Sequence, residues 1–182
     1  MSQLRFLPMV LSLMLAFPVV GAALTQPGTP PPSPASKVPC GPDHQIIYKR
    51  AVTLLDNAEK KLSGHYTAEA KSMAKEAKSL FAILQKECGQ DQKDRLLTPK
   101  EQQQEAINQK MTSDEQTQAD SLVKSAEEKF KKATLLGTSQ PDTYNRLMRE
   151  AESENEQAEI RSIKAMIYSL RTEQMLFSFL AK

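Results

Sequence analysis

The sequence predicts an all-α protein whose four to five helices form antiparallel hairpins in a helical bundle. From residue 43 onward, apolar residues recur at intervals of three and four, which is the spacing of one face of a helix. Glycine and proline stand mainly at the ends of these stretches, where helices begin and end. The chain has no tryptophan and only 5% aromatic residues, a composition that suits a strand-rich domain poorly.

The N-terminus has the layout of a secretory signal peptide. Arg5 precedes an apolar run over residues 6–20, and the small residues 21–23 follow. Residues 1–23 are therefore predicted to be a cleaved signal, which would place the protein in the periplasm of a bacterium or outside the cell. An uncleaved anchor is the alternative, because the segment counted through Leu24 has the length, about 19 residues, that spans a bilayer.

Residues 24–42 form a stretch that holds most of the chain's eleven prolines. This composition predicts extended, polyproline-type structure, so we expect a disordered spacer between the signal and the helical domain. The helical domain then covers residues 43–182, a length that suits a single domain.

The first predicted hairpin covers residues 43–89, capped by Asp43 and ending at Gly89. A short link makes consecutive helices antiparallel, so the beginning of the first helix and the end of the second lie together. Cys40 and Cys88, the chain's two cysteines, fall at that shared end. In an exported protein this arrangement predicts a disulfide; two free thiols, with Cys88 filling a core position, are the alternative.

Three further helices are predicted after this hairpin. A glutamine-rich connector helix covers residues 98–111 and begins at Thr98, and a stronger helix covers residues 113–136 behind a cap at Thr112 or Ser113. The last helix covers residues 141–181. The apolar face of the helix over 113–136 consists of Ala119, Leu122, Val123, Ala126, Phe130, Ala133 and Leu136.

A faint internal repeat supports two packed hairpins. LLDNAEKKL (54–62) aligns with LVKSAEEKF (122–130), and each segment is followed by a turn and another helix. One hairpin cannot bury its apolar face alone, whereas two hairpins can bury their faces against each other. Chance similarity between two helices rich in alanine, lysine and glutamate is the alternative.

The sequence contains no recognisable set of catalytic residues. Phosphate-binding loops, hydrolase elbows and haem motifs are missing, so we expect neither an enzyme nor a cofactor. Cys40, His44 and Cys88 form the only candidate metal set, and structural zinc sites usually have four more closely spaced ligands. No metal is therefore expected.

The charge of the chain argues against two classes of partner. Its formal net charge is only +2, so a general attraction for nucleic acid or for anionic membranes is weak. The lysines near residue 129 are interleaved with glutamates rather than with aromatic residues that stack on bases. We expect no nucleic-acid partner, and no membrane contact after the signal is cleaved.

The C-terminus is unusually apolar. The segment MLFSFLAK contains five large apolar residues, namely Met175, Leu176, Phe177, Phe179 and Leu180. These residues are the predicted binding surface for a protein partner or for a second copy in a homodimer. The alternative is a tail that docks on the bundle and is buried there.

Two stretches resemble known families. The segment over 58–84 is similar to a tetratricopeptide-like hairpin and to helical-hairpin modules of bacterial envelope proteins, through Ala58, the Gly64-x-Tyr66 turn, Ala70 and Ala77, although Glu69 departs from the tetratricopeptide pattern. The segment LLTPKEQQQ (96–104) resembles the Leu-Thr-x-x-Gln signature of small periplasmic stress chaperones, with the glutamine one position late. The first resemblance implies a role in packing or in binding proteins.

These observations favour a non-enzymatic exported protein that acts as a protein-binding or scaffolding module in the cell envelope. The alternative is a periplasmic chaperone-like protein that binds many clients. The two functions differ in their expected surface, since a chaperone of that kind requires a broad apolar face that stays open.

Overall fold

The computed structural model describes residues 40–182, and the predicted signal peptide and almost all of the predicted spacer lie outside this range. The described residues form four α-helices and two short 3-10 turns, which confirms the all-α prediction. The helices are α1 (Pro42–Ser63), α2 (Thr67–Lys93), α3 (Pro99–Leu136) and α4 (Pro141–Leu176), and the 3-10 turns are Gly137–Ser139 and Ser178–Ala181.

The four helices pair as two hairpins. α1 packs on α2, and α3 packs on α4. α4 also contacts α1 and α2, so it joins the two hairpins, whereas in the described part of the chain the backbone of α3 lies close only to that of α4 and of the 3-10 turn that follows α3. This is the arrangement that the internal repeat indicated, with the second hairpin longer than the first.

The first hairpin extends beyond both of its predicted ends. α1 begins at Pro42 with Gly41 as its N-cap, so Asp43 is not the cap and residues 40–42 belong to the folded domain rather than to the spacer. α2 continues through Gly89 to Lys93, one turn past the predicted end. Gly89 lies within α2, buried next to Cys88, and does not end the helix.

The predicted boundary between the connector helix and the helix over 113–136 is wrong, because α3 is one helix of 38 residues. The Thr112 hydroxyl donates to the carbonyl of Asn108 at 2.8 Å, so it bonds back into its own helix and caps no new one. Residues 100–136 contain neither glycine nor proline. Because glycine and proline are the residues that usually interrupt a helix, their absence from this stretch indicates one continuous helix.

α3 begins where the sequence predicts. Thr98 is its N-cap: the Glu101 backbone N–H donates to the Thr98 hydroxyl, and the Glu101 carboxylate accepts from the Thr98 N–H at 2.9 Å. This reciprocal pair is a capping box. The bond from the Thr98 backbone is the main reason that the pKa of Glu101 lies below its usual range.

α4 is continuous through the polar stretch over 152–157 and ends at Leu176, five residues before its predicted end. A 3-10 turn over Ser178–Ala181 follows it. The N–H of Leu180 donates to the carbonyl of Phe177 at 3.0 Å within this turn. The tighter turn redirects the last residues towards α1, which the turn contacts.

The hydrophobic core lies between α1, α2 and the second half of α4. Its largest fully buried side chains are Leu55, Phe81, Leu84, Ile163 and Phe177. The ring of Tyr48 meets that of Phe81 edge to face, with their centroids 6.4 Å apart. The Tyr48 hydroxyl donates to the carbonyl of Gln174 at 3.1 Å, so its polar end is satisfied within the core.

Between residues 119–133 of α3 and residues 151–165 of α4, the interface is lined by alanines. α3 buries Ala119, Ala126 and Ala133, and α4 buries Ala151, Ala158 and Ala165. Each set repeats every seven residues, so the alanines of each helix lie along one line that faces the other helix. We call this contact the alanine seam. Because a methyl group fills little space, the two backbones can approach closely along this seam.

The alanine seam continues beyond the shared core. The core cluster includes no residue of α4 before Ile163 and none of α3. Residues 119–158 therefore form a two-helix segment, here called the arm, whose buried residues are alanines. At 1.5 Å per residue α3 is about 57 Å long, whereas α1 with its 22 residues is about 33 Å long.

Replacing Ala126 with leucine is expected to destabilise the protein by about 1–3 kcal/mol, because the larger side chain would force α3 and α4 apart. Ala126 is 1% exposed, so an added side chain would have to fit inside the interface rather than extend into solvent. The matched control is Ala106→Leu on the same helix, where the side chain is exposed and a change within about 0.5 kcal/mol is expected. Urea denaturation followed by circular dichroism measures both, and equal effects at the two positions would contradict the close-packed seam.

Candidate functional site

Cys40 and Cys88 form a disulfide at the open end of the first hairpin, as the sequence predicts. Their Cα atoms are 5.7 Å apart, within the range that a disulfide requires. His44 lies beside the bond. Its Nδ1 accepts from the Gly41 N–H at 3.1 Å, which leaves the proton on Nε2, 2.9 Å from a carboxylate oxygen of Glu87.

Cys40, His44 and Cys88 also form the only cluster of potential metal ligands in the described part of the chain. Their ligand atoms lie within 4.8 Å of one another. The disulfide uses both sulfurs, and thiolates rather than disulfides bind zinc. The cluster is therefore a crosslink in which the imidazole of His44 links α1 to Glu87 of α2.

The predicted binding surface at the C-terminus is wrong for two of its five residues. Phe177 is 0% exposed and Leu180 is 3% exposed, and both belong to the hydrophobic core. Met175, Leu176 and Phe179 are half-buried, and the latter two pack against the core. The alternative, a tail that docks on the bundle, describes the structure, because Phe177 and Leu180 are buried and the 3-10 turn contacts α1.

Arg95, in the link between α2 and α3, holds the tail in place. Its guanidinium donates to the carbonyls of Met175 and Leu176 at 3.1 and 3.3 Å and pairs with Glu101. A cation at these last carbonyls of α4 also opposes the negative end of the helix dipole. The link therefore connects the start of α3 to the end of α4.

Two arginines of α4 form ion pairs that fix how this helix lies on its neighbours. Arg171 donates to Asp56 at 2.9 Å and to both carboxylate oxygens of Glu59 at 3.0 and 2.6 Å, a bidentate contact with α1. Arg161 donates to Glu115 of α3 at 2.9 Å. Glu115 is 7% exposed, so this bond satisfies a carboxylate inside the α3–α4 interface.

A third pair crosses the arm. Lys129 donates to Glu154 at 2.5 Å, and Ser125 donates to the same oxygen at 3.1 Å. The bond between Lys129 and Glu154 raises the pKa of the lysine and lowers that of the glutamate. Both groups are therefore held in their charged forms, which is the behaviour of a structural ion pair.

The arm exposes large apolar residues that the sequence pattern assigned to a buried face. Phe130 is 54% exposed and Val123 is 40% exposed, because the alanines beside them occupy the seam. Val123 borders a cleft of about 260 Å³. Its lining consists of four apolar residues and four polar ones, namely Val123, Ala158, Ile163 and Met166 and then Lys71, Asn155, Glu159 and Ser162.

We call Val123, Phe130 and this cleft the arm strip. Lys71 donates to Glu159 at 2.6 Å, so the two charged residues of the cleft are paired across α2 and α4. The sequence did contain a signal for this arrangement, namely the seven-residue spacing of the alanines in both helices. Val123 and Phe130 fall outside that repeat, which indicates that they lie beside the seam rather than in it.

A groove lined by residues with polar side chains lies nearer the tail, between the first half of α3 and the second half of α4. Its volume is about 500 Å³. Its lining includes Gln109, Thr112 and Gln116 of α3 and Ser169, Thr172 and Glu173 of α4. Burial raises the pKa of Glu173, because no described residue compensates for the loss of water around its carboxylate.

Comparisons of the chain with protein-family models, with curated proteins and with solved structures found no match. Within residues 40–182, no helix combines the length and the apolar character needed to cross a membrane.

Proposed function

We propose that the protein is an exported, non-enzymatic binding module that captures a helix of a partner protein on the arm strip. The observation that carries this proposal is a cleft with a mainly apolar surface, bordered by Val123, together with the exposed Phe130 two helical turns further along α3. Apolar pockets inside polar rims are typical of protein-binding surfaces, where a few aromatic or aliphatic anchors supply most of the affinity.

The spacing of the strip indicates the form of the ligand. Val123 and Phe130 are seven residues apart on α3, which corresponds to about 10 Å, or two helical turns. An amphipathic helix presents apolar residues at the same interval. The expected partner therefore inserts one apolar side chain into the cleft and places a second, seven residues away, against Phe130.

Two further features support an exported module. The disulfide closes the hairpin of α1 and α2, and such bonds persist mainly in oxidising compartments. The arm buries only alanines among its described residues, and a two-helix unit of this kind gains stability when a third element covers it.

Site-specific photo-crosslinking in living cells tests the proposal, with the probe at Val123 or at Phe130 in turn. One sharp band with a different protein is expected from both positions. The control probe at Lys132, exposed and outside the strip, is expected to give no such band, and a probe at the half-buried Phe179 serves as a second control.

Other outcomes separate the alternatives. A smear of many masses at both strip positions would favour the chaperone-like function, and a band at twice the monomer mass would identify a second copy as the occupant. Adducts at Phe130 no stronger than those at Lys132 would contradict the arm strip as a binding surface.

A further inference from the structure

The open end of the first hairpin holds three side chains of the kinds that bind metals in proteins. The sulfurs of Cys40 and Cys88 and a ring nitrogen of His44 lie within 4.8 Å of one another. In the oxidised chain the disulfide uses both sulfurs, so this set cannot bind a metal there. Reduction of the disulfide turns the same residues into two thiols beside an imidazole, which is a set of zinc ligands.

The spacing of these atoms suits a zinc ion. Zinc binds thiolate sulfur at about 2.3 Å and imidazole nitrogen at about 2.0 Å in tetrahedral geometry, so its ligand atoms are roughly 3.5–3.8 Å apart. The separations in the cluster, at most 4.8 Å, are close to this value. Because α1 and α2 pack together along their length, the two cysteines stay at the same end of the hairpin after reduction.

Glu87 orients the imidazole of His44 for this role. Its carboxylate lies 2.9 Å from Nε2 and accepts the proton there, which leaves the lone pair of the ring on Nδ1. Metal-binding histidines usually donate their other ring N–H to such a partner, which fixes the tautomer. In the oxidised chain the Nδ1 lone pair accepts from the N–H of Gly41, the residue that follows Cys40. Gly41 is half-buried, so water can replace that bond when a cation takes the lone pair.

The cluster is closed on one side and open on the other. Cys88 is 1% exposed and belongs to the hydrophobic core, whereas Cys40 and His44 are half-buried. An ion can therefore enter from the solvent side, and a water molecule can complete its coordination, as it does in zinc sites with three protein ligands.

We propose that the reduced chain binds one Zn²⁺ ion through the thiolates of Cys40 and Cys88 and Nδ1 of His44, with water as the fourth ligand. The reductant is a dithiol. Its two thiols join in a disulfide, the bond between the sulfurs of Cys40 and Cys88 breaks, and each of these sulfurs receives one proton. Zinc binding then releases both protons, because the thiolates are the ligands.

The ion would link α1 to α2 where the disulfide does. The open end of the hairpin is then crosslinked in both redox states, by a covalent bond in one and by a metal in the other. The site shares no residue with the arm strip, so the failure of either experiment leaves the other proposal in place.

Titration with Co²⁺, a spectroscopic substitute for zinc, tests the proposal. The protein is reduced with dithiothreitol, separated from the reductant under argon and titrated with Co²⁺, whose charge-transfer absorption reports bound thiolates. The expected result is an absorption that saturates at one Co²⁺ per chain and disappears when Zn²⁺ is added. The oxidised protein is expected to show no such absorption.

Three variants identify the other groups of the site. His44→Asn is expected to weaken Zn²⁺ binding by about 100-fold, since even the partners of metal ligands typically contribute about 10–100-fold. Glu87→Gln is expected to weaken it by about tenfold. His65→Asn is the matched control and should bind as the wild type does. His65 is the only other histidine of the chain, lies exposed in the turn at the opposite end of the hairpin, and has a φ of 63° that asparagine also adopts.

Urea denaturation supplies a second readout. Zn²⁺ is expected to raise the unfolding midpoint of the reduced wild type, because it binds the folded chain, and to leave that of the oxidised protein unchanged. The proposal would be overturned by a reduced wild type without thiolate absorption from Co²⁺. It would equally be overturned if His44→Asn bound Zn²⁺ as tightly as His65→Asn, or if Zn²⁺ did not stabilise the reduced protein.

Discussion

Replacing both Cys40 and Cys88 with alanine is expected to lower the free energy of unfolding by about 4 kcal/mol. The disulfide joins residues 48 positions apart, and a crosslink of that span restricts the unfolded chain strongly in the chain-entropy treatment. It also ties the open ends of α1 and α2 together, opposite their turn at Gly64–Tyr66. The loss is a large share of the 5–15 kcal/mol or so that stabilises an ordinary domain.

Urea denaturation with and without a reductant measures this effect. The wild type is expected to lose stability when the reductant is added, whereas the double variant should be insensitive to it. Reduced wild type also retains the buried Cys88 side chain, so its comparison with the variant separates the crosslink from the side-chain change. A wild-type midpoint that does not move after complete reduction would contradict the expectation.

Replacing Phe177 with alanine is expected to destabilise the protein by about 3–5 kcal/mol, the usual cost of removing a buried phenylalanine. Phe177 is fully buried in the core where the tail meets α1. Its loss would leave a cavity at the point where the last residues dock.

Phe130→Ala is the matched control, since it is the same chemical change at a side chain that is 54% exposed. A change within about 0.5 kcal/mol is expected there. Thermal or urea unfolding of the two variants distinguishes the docked tail from the exposed binding surface that the sequence suggested. If Phe177→Ala were as mild as Phe130→Ala, the tail would not be part of the core.

Interactions that are local in the chain could be predicted from the sequence. The capping pair of Thr98 and Glu101 and the turn near Gly64 depend on residues a few positions apart. The disulfide was also predictable, because a short link determines that two helices run antiparallel and bring Cys40 to Cys88. Helix ends were less accurate: Gly89 and Thr112 resemble end signals but are incorporated into longer helices.

The exposed apolar surfaces could not be predicted in the same way. Apolar periodicity showed that α3 has an apolar edge, but not that alanines would occupy the seam and leave Phe130 outside it. The composition of the C-terminus showed that it is apolar, but not that Phe177 and Leu180 would be buried. Whether an apolar side chain is covered depends on how closely distant helices approach, and this is a property of the packed bundle.

The sequence by itself therefore determined the helical class, the hairpin order and the crosslink, because each follows from spacing along the chain. Only the tertiary structure decided that α4 joins the two hairpins, that the tail is buried and that Glu173 lies between α3 and α4. These features arise from contacts between residues far apart in the chain, and their burial and charge pairing are established only when the helices pack.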